Sequence, residues 1–84
     1  MPENPFKYVY ILRSLEYPDR HYTGCTDDLE ARLKKHNQGD VPHTVKFRPW
    51  QIQTAVSFRS EAKARAFEKY LKSGSGREFA RRHF

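Results

Sequence analysis

Four side chains in the first half of this chain have the chemistry to act together on one phosphate. Tyr10 and Tyr22 are phenols, Arg32 is a guanidinium, and His36 is an imidazole one helical turn beyond it. A guanidinium stays charged and grips oxyanions through forked N–H groups, while an imidazole exchanges protons near neutral pH. A phenol with a pKa near 10 is a poor base at pH 7. It becomes useful where a neighbouring cation stabilises the phenolate, and Arg32 is the obvious supplier. The set points to phosphodiester chemistry. Glu68 adds a carboxylate that could hold a largely hydrated Mg²⁺, an ion that takes one or two protein carboxylates plus substrate phosphate. The plain alternative for Glu68 is an i, i+4 ion pair with Lys72.

Convergence of these residues depends on the elements that carry them. Phe6 to Leu12 is almost uninterrupted apolar and aromatic sequence and reads as a strand covered on both faces. Pro18 marks a turn, and His21 to Thr26 returns as a second strand, giving an antiparallel hairpin. Tyr8, Tyr10 and Leu12 share one strand face, and Gly24 lets backbone or ligand approach closely. Strand tyrosines also serve as plain packing residues with the hydroxyl at the rim. Asp27 followed by Glu30 resembles a capping box, so a helix should start there and end near Gln38-Gly39. On it Leu29, Arg32, Leu33 and His36 fall at i, i+3, i+4 and i+7, one stripe. The leucines must face the sheet, so Arg32 and His36 point towards the hairpin. Partial burial of an arginine costs on the order of several kcal/mol unless an anion compensates, and a phosphate would do so. Otherwise Arg32 snorkels and His36 is a core-edge histidine bonded to backbone.

Residues 40–48 lack periodicity and contain Pro42, so they form a loop. Trp50, Ile52, Thr54, Val56 and Phe58 alternate with smaller or polar residues, predicting a strand with one buried and one wet face. Ser60 caps a helix over Glu61–Lys72 with an apolar stripe of Ala64, Phe67, Tyr70 and Leu71, and Gly74 ends it. Ser75 and Glu78 form a second box, opening a short last helix with Phe79 and Phe84 to pack. The Gly74-Ser75-Gly76-Arg77 segment could offer N–H groups to phosphate or simply cap two helices. The order β-β-α-β-α-α predicts an α+β domain with a small, mainly antiparallel sheet flanked by helices. One domain should occupy residues 1–84, with residues 1–5 a flexible N-terminus.

Composition narrows the partners. The 84 residues carry a net charge of +6, with +1 on residues 1–58 and +5 on residues 59–84. A basic C-terminal third suggests a polyanion, nucleic acid first and an anionic membrane second, or else simple solubility. Lys35, Lys72, Arg77, Arg81 and Arg82 are the candidate nucleic-acid contacts. Twelve aromatics can fill a thin core, leaving little room for an enclosed small-molecule cavity. Cys25 is the single cysteine, so no intrachain disulfide forms, and it reads as a small buried thiol. No signal-peptide pattern or membrane-length apolar run occurs, which predicts a cytoplasmic protein with no membrane partner. Phosphate-loop, paired-cysteine zinc and serine-hydrolase motifs are absent.

Together, Tyr8-Val9-Tyr10, the run from Tyr22 through Thr23-Gly24-Cys25-Thr26-Asp27-Asp28-Leu29, Arg32-Leu33 and His36-Asn37-Gln38-Gly39 resemble the GIY-YIG nuclease domain. Glu61-Ala62 and Glu68-Lys69-Tyr70-Leu71-Lys72 resemble its metal-binding helix. The likeness extends from about residue 6 to residue 84 and is nearest to small single-domain bacterial members. It implies a three-stranded antiparallel sheet with flanking helices and metal-dependent endonuclease cleavage of nucleic acid, DNA ahead of RNA. Residue by residue it implies that Tyr10, Tyr22, Arg32, His36 and Glu68 are catalytic, Arg32 on the phosphoryl oxygens and Glu68 on Mg²⁺ or Mn²⁺. Without an appended recognition domain, structure-selective cleavage is expected, with targeting left to a protein partner. The alternative is a nucleic-acid-binding module that keeps the fold without turnover. The chain departs from the family pattern at Tyr8, where the first motif has glycine, and at Thr23, where the second has isoleucine. It also lacks the asparagine many members carry near the C-terminus, where it offers Arg81, Arg82 and His83.

Overall fold

In the computed structural model, which describes residues 5–84, the strand richest in apolar residues lies at the centre. This strand, β1 (Lys7–Ser14), is flanked by β2 (His21–Thr26) and β3 (Trp50–Phe58) in the order β2-β1-β3, both pairs antiparallel. A strand with helices on both sides must be apolar on both faces, which explains its buried run from Val9 to Leu12. Helix α1 (Leu29–Gln38) covers one face, while α2 (Glu61–Leu71) and α3 (Gly74–His83) cover the other. A 3₁₀ turn at Val45–Phe47 lies between α1 and β3. The α+β class, the three-stranded antiparallel sheet and the β-β-α-β-α-α order therefore match expectation. The flexible N-terminus assigned to residues 1–5 falls, except for Pro5, outside the described residues.

The sheet separates two cores. Val9, Ile11, Ala64 and Leu71 form an apolar cluster on the α2–α3 side, bordered by Phe58, Phe67 and Phe79. Tyr10, Leu12 and Trp50 form the other beneath α1, with Tyr22, Leu29, Leu33 and Ile52. Strand β3 contributes to both, which corrects the expected single-face alternation. Its pairing with β1 shifts between Ile11 and Leu12: Ile11 faces Thr54, whereas Leu12 faces Ile52. The extra residue, Gln53, is a bulge that turns the strand over. Trp50 and Ile52 thus point to α1, while Thr54, Val56 and Phe58 point to α2. Ala55 and Ser57, opposite Tyr10 and Tyr8, stay exposed on the α1 side.

Two helix starts are displaced from expectation. Asp28, not Asp27, caps α1, its carboxylate accepting from Ala31 N at 3.0 Å. Thr26 Oγ1 accepts from Asp28 N at 3.1 Å, and this turn sets the helix one residue later. Gly39 then ends α1 at φ 86°, as its type predicts. Ser73, not Ser75, caps α3, accepting from Gly76 N at 3.1 Å. Gly74 therefore opens a helix instead of closing one. Gly76 packs against the α2 backbone, where a Cβ would come 2.6 Å from Leu71 Cα. The Gly76 N–H is taken by the Ser73 hydroxyl, so the segment serves as the N-terminal cap of α3.

Candidate active site

The register of β1 against β2 puts Tyr10 opposite Gly24 and Leu12 opposite Tyr22, so both phenols lie on the α1 face. Tyr10 leans over Gly24: a Cβ there would stand 2.6 Å from Tyr10 Cζ. The missing side chain of Gly24 is the space in which Tyr10 lies. The leucine stripe of α1 docks on this face and carries His36 down to the phenol, with Tyr10 Oη and Nε2 3.0 Å apart. Both residues are almost wholly buried, at 2% and 1% exposure. Tyr22 is half-buried and leans against both rings, with centroids 6.5 Å from Tyr10 and 5.0 Å from His36. Of the three rings it is the one open to solvent.

Burial pushes the Tyr10 phenol up to about 12, with a smaller upward contribution from Tyr22 and an opposing pull from the charge and hydrogen bonding of Arg32. His36 is held below its ordinary value, by burial first and the Arg32 cation second. At neutral pH the pair is therefore a neutral phenol against a neutral imidazole. Arg32, half-buried one turn away on α1, is close enough to act on both. Backbone bonding of His36, one reading of the sequence, is not what the structure shows: both ring nitrogens bond to side chains, Nδ1 to Thr44 Oγ1 at 2.8 Å.

Glu68 lies on α2 with its side chain 19% exposed and its Oε2 3.1 Å from Lys72 Nζ. The i, i+4 ion pair is thus present, and such a pair is worth about 0.3–0.5 kcal/mol. Its negative charge nevertheless reaches Tyr10 and Cys25, raising both. Among the described residues no group of three or more His, Cys, Asp or Glu could enclose a metal. A lone carboxylate suits a hard cation that keeps waters and takes its remaining ligands from a phosphate. The donor set therefore fits Mg²⁺ or Mn²⁺ in that mode.

The basic candidates divide. Lys72, Arg77 and Arg81 line one open groove of about 1030 Å³, joined by Arg13 and Arg20 of the hairpin and by Tyr22 at its edge. Among the described residues Asp19 is its single acidic lining residue. Lys35 and Arg82 are exposed on α1 and α3 but do not line it. Arg13 and Arg20 escaped the sequence reading because they sit at the ends of a hairpin, far along the chain from α3. Thr44 escaped it too, lying in a loop without periodicity.

Two phenols, a neutral histidine and an arginine are thus brought together on the α1 face of the sheet. The GIY-YIG catalytic domain family matches residues 6–81, and the chain belongs to that nuclease superfamily. It is 38% identical over 73 residues to the structure-specific endonuclease subunit SLX1 of Debaryomyces hansenii, a match covering 79% of this chain and 21% of that protein. A UPF0213 protein of Clostridium perfringens is 35% identical over 66 residues, covering 77% and 69%. The solution structure of a UPF0213 protein from Bacillus halodurans superposes with a TM-score of 0.54 at 31% identity, covering 90% of this chain and 80% of that one. The chain thus spans about a fifth of the SLX1 protein of Debaryomyces hansenii and more than two thirds of the UPF0213 protein of Clostridium perfringens. Among the described residues no helix is long and apolar enough to cross a membrane.

Proposed function

We propose that this protein is a metal-dependent endonuclease that hydrolyses phosphodiester bonds in nucleic acid, DNA ahead of RNA, with preference for branched, nicked or single-stranded structures. The observation that carries this reading is the buried Tyr10–His36 bond beside Arg32. A neutral histidine held against a phenol is arranged to take its proton. As an attacking water loses a proton to Tyr10, Tyr10 passes its own to His36 Nε2. Arg32 binds the non-bridging oxygens as charge builds on phosphorus. Tyr22, at the open side, orients the incoming phosphate or water. Glu68 would hold Mg²⁺ or Mn²⁺, leaving Lys72 free for the substrate backbone. When bound, such an ion would offset the negative charge on the 3′ oxygen as its bond to phosphorus breaks. The groove of Arg13, Arg20, Lys72, Arg77 and Arg81 receives a second segment of backbone, which favours bent or branched substrates over a straight duplex. A fungal relative bears the name of a subunit, and this chain likewise is read as relying on a protein partner for targeting.

The test is cleavage of a labelled panel of duplex, flap, branched and single-stranded DNA and RNA by wild type and Glu68→Ala, with Mg²⁺, Mn²⁺ or chelator. Cuts that require both the metal and Glu68 support the proposal and identify the substrate. Gel shifts without cuts would replace it with a binding module that keeps the fold.

A further inference from the structure

Thr44 is fully buried, with 0% exposure, in the loop between α1 and β3, and nothing in the mechanism above uses it. Its hydroxyl lies 2.8 Å from His36 Nδ1 and 3.3 Å from the Val41 carbonyl. The loop backbone is tied down on both sides of it. Thr44 N donates to Val41 O at 3.0 Å, and Thr44 O accepts from Trp50 Nε1 at 2.8 Å. Trp50 is in turn clasped through its backbone by Asn37, which accepts from its N–H at 2.6 Å and donates to its carbonyl at 3.0 Å. Asn37 follows His36 directly, so the histidine and the threonine that faces it are held by one frame.

Each proton in this row has one place to go. Among the described residues no buried side-chain N or O lacks a partner, and a buried hydroxyl without an acceptor costs about 1–3 kcal/mol. The acceptor facing the Tyr10 hydroxyl is His36 Nε2. If Tyr10 donates there, Nε2 must be the bare nitrogen of a neutral imidazole and Nδ1 must carry the hydrogen. Nδ1–H then donates to Thr44 Oγ1, whose own proton goes to the Val41 carbonyl. The reverse order has Nε2–H donating to the Tyr10 oxygen and leaves the Tyr10 proton without an acceptor. We propose that Thr44 is a positioning residue that locks His36 in the Nδ1–H tautomer, keeping Nε2 free to take the Tyr10 proton.

The consequence for rate rests on the endonuclease reading; the tautomer does not. The experiment is nitrogen-15 NMR of the imidazole in the intact protein at pH 7.5, paired with pH–rate profiles for wild type, Thr44→Val and Thr44→Ser. Wild type is expected to show a protonated Nδ1 and a bare Nε2. Thr44→Val, similar in shape but without the acceptor, should populate the opposite tautomer and lower kcat about 10–100-fold, the usual cost of losing a supporting hydrogen bond. KM should hold, and Thr44→Ser should restore both readouts. A wild-type Nε2–H tautomer overturns the proposal outright, even if Thr44→Val does not fold or no cleavage is found. So does a Thr44→Val protein with unchanged tautomer, or one with the opposite tautomer and full kcat.

Discussion

The two faces of the central strand are built on opposite principles. Towards α2 and α3, Val9 and Ile11 meet Ala64 and Leu71 in an apolar cluster with phenylalanines at its edge. Such packing has no direction and tolerates repacking at similar volume. Towards α1, Tyr10 and Leu12 of the same strand join a second apolar cluster with Trp50, but through it runs a row of hydrogen bonds from Tyr10 to His36, Thr44 and Trp50. Each bond contributes only about 0.5–1.5 kcal/mol net, but an orphaned partner costs more than the bond is worth. One face thus supplies stability by area, and the other supplies orientation by mutual necessity. A domain of 84 residues has little surplus stability, so placing polar atoms in half of its core is costly. On the proposed reading, the satisfied row beneath α1 is what orients the catalytic groups.

Four variants would break or sharpen this contrast. The largest effect is expected for Tyr10→Phe, which removes the proton carrier and should lower cleavage about 10²–10⁴-fold while circular dichroism shows the fold retained. Unchanged turnover would remove Tyr10 from the mechanism. Leu71→Ala, on the other face, should behave in reverse. It is expected to cost about 2–5 kcal/mol in chemical denaturation yet leave kcat per folded molecule intact; a matching loss of kcat would show that the faces are not separable. Arg77→Ala with Arg81→Ala should weaken nucleic-acid binding and reduce the slope of log K against log salt by up to about 2. An unaltered slope would remove the groove from the contact surface.

The smallest effect concerns pH. The folded-state pKa of His36 is depressed, by burial and then by Arg32, so the unfolded chain binds the proton first as pH falls. This contribution to stability is complete above the ordinary histidine value of about 6.5 and is lost as pH drops from there through the folded value. Tm of wild type should therefore decline below that pH, and His36→Gln should decline less. Parallel curves would mean that the imidazole is not held neutral by the fold.

Much of the site was legible because its parts are close in sequence and periodic. The α1 stripe of Leu29, Arg32, Leu33 and His36 needs only the helical repeat, and the hairpin brings Tyr10 and Tyr22 to the same face. Three features were not legible, each for a physical reason. The reversal of β3 at Gln53 depends on register with β1, and an alternating strand reads identically until its partner is known. The caps at Asp28 and Ser73 compete with equally able neighbours, Asp27 and Ser75, and a backbone turn or a close helix contact decides between them. Thr44 acts through a loop whose path is set by Trp50 and Asn37.

Ala55 and Ser57 give the site its topology. They are small, exposed and directly across from Tyr10 and Tyr8, so the sheet runs out from under α1 as a ledge, not a tunnel. A polymer can be laid on a ledge sideways, whereas a tunnel must be threaded from a free end. On the endonuclease reading, interior linkages would then be as approachable as terminal ones, and a covalently closed circle, which has no end to thread, would be cut on the same terms as a linear strand.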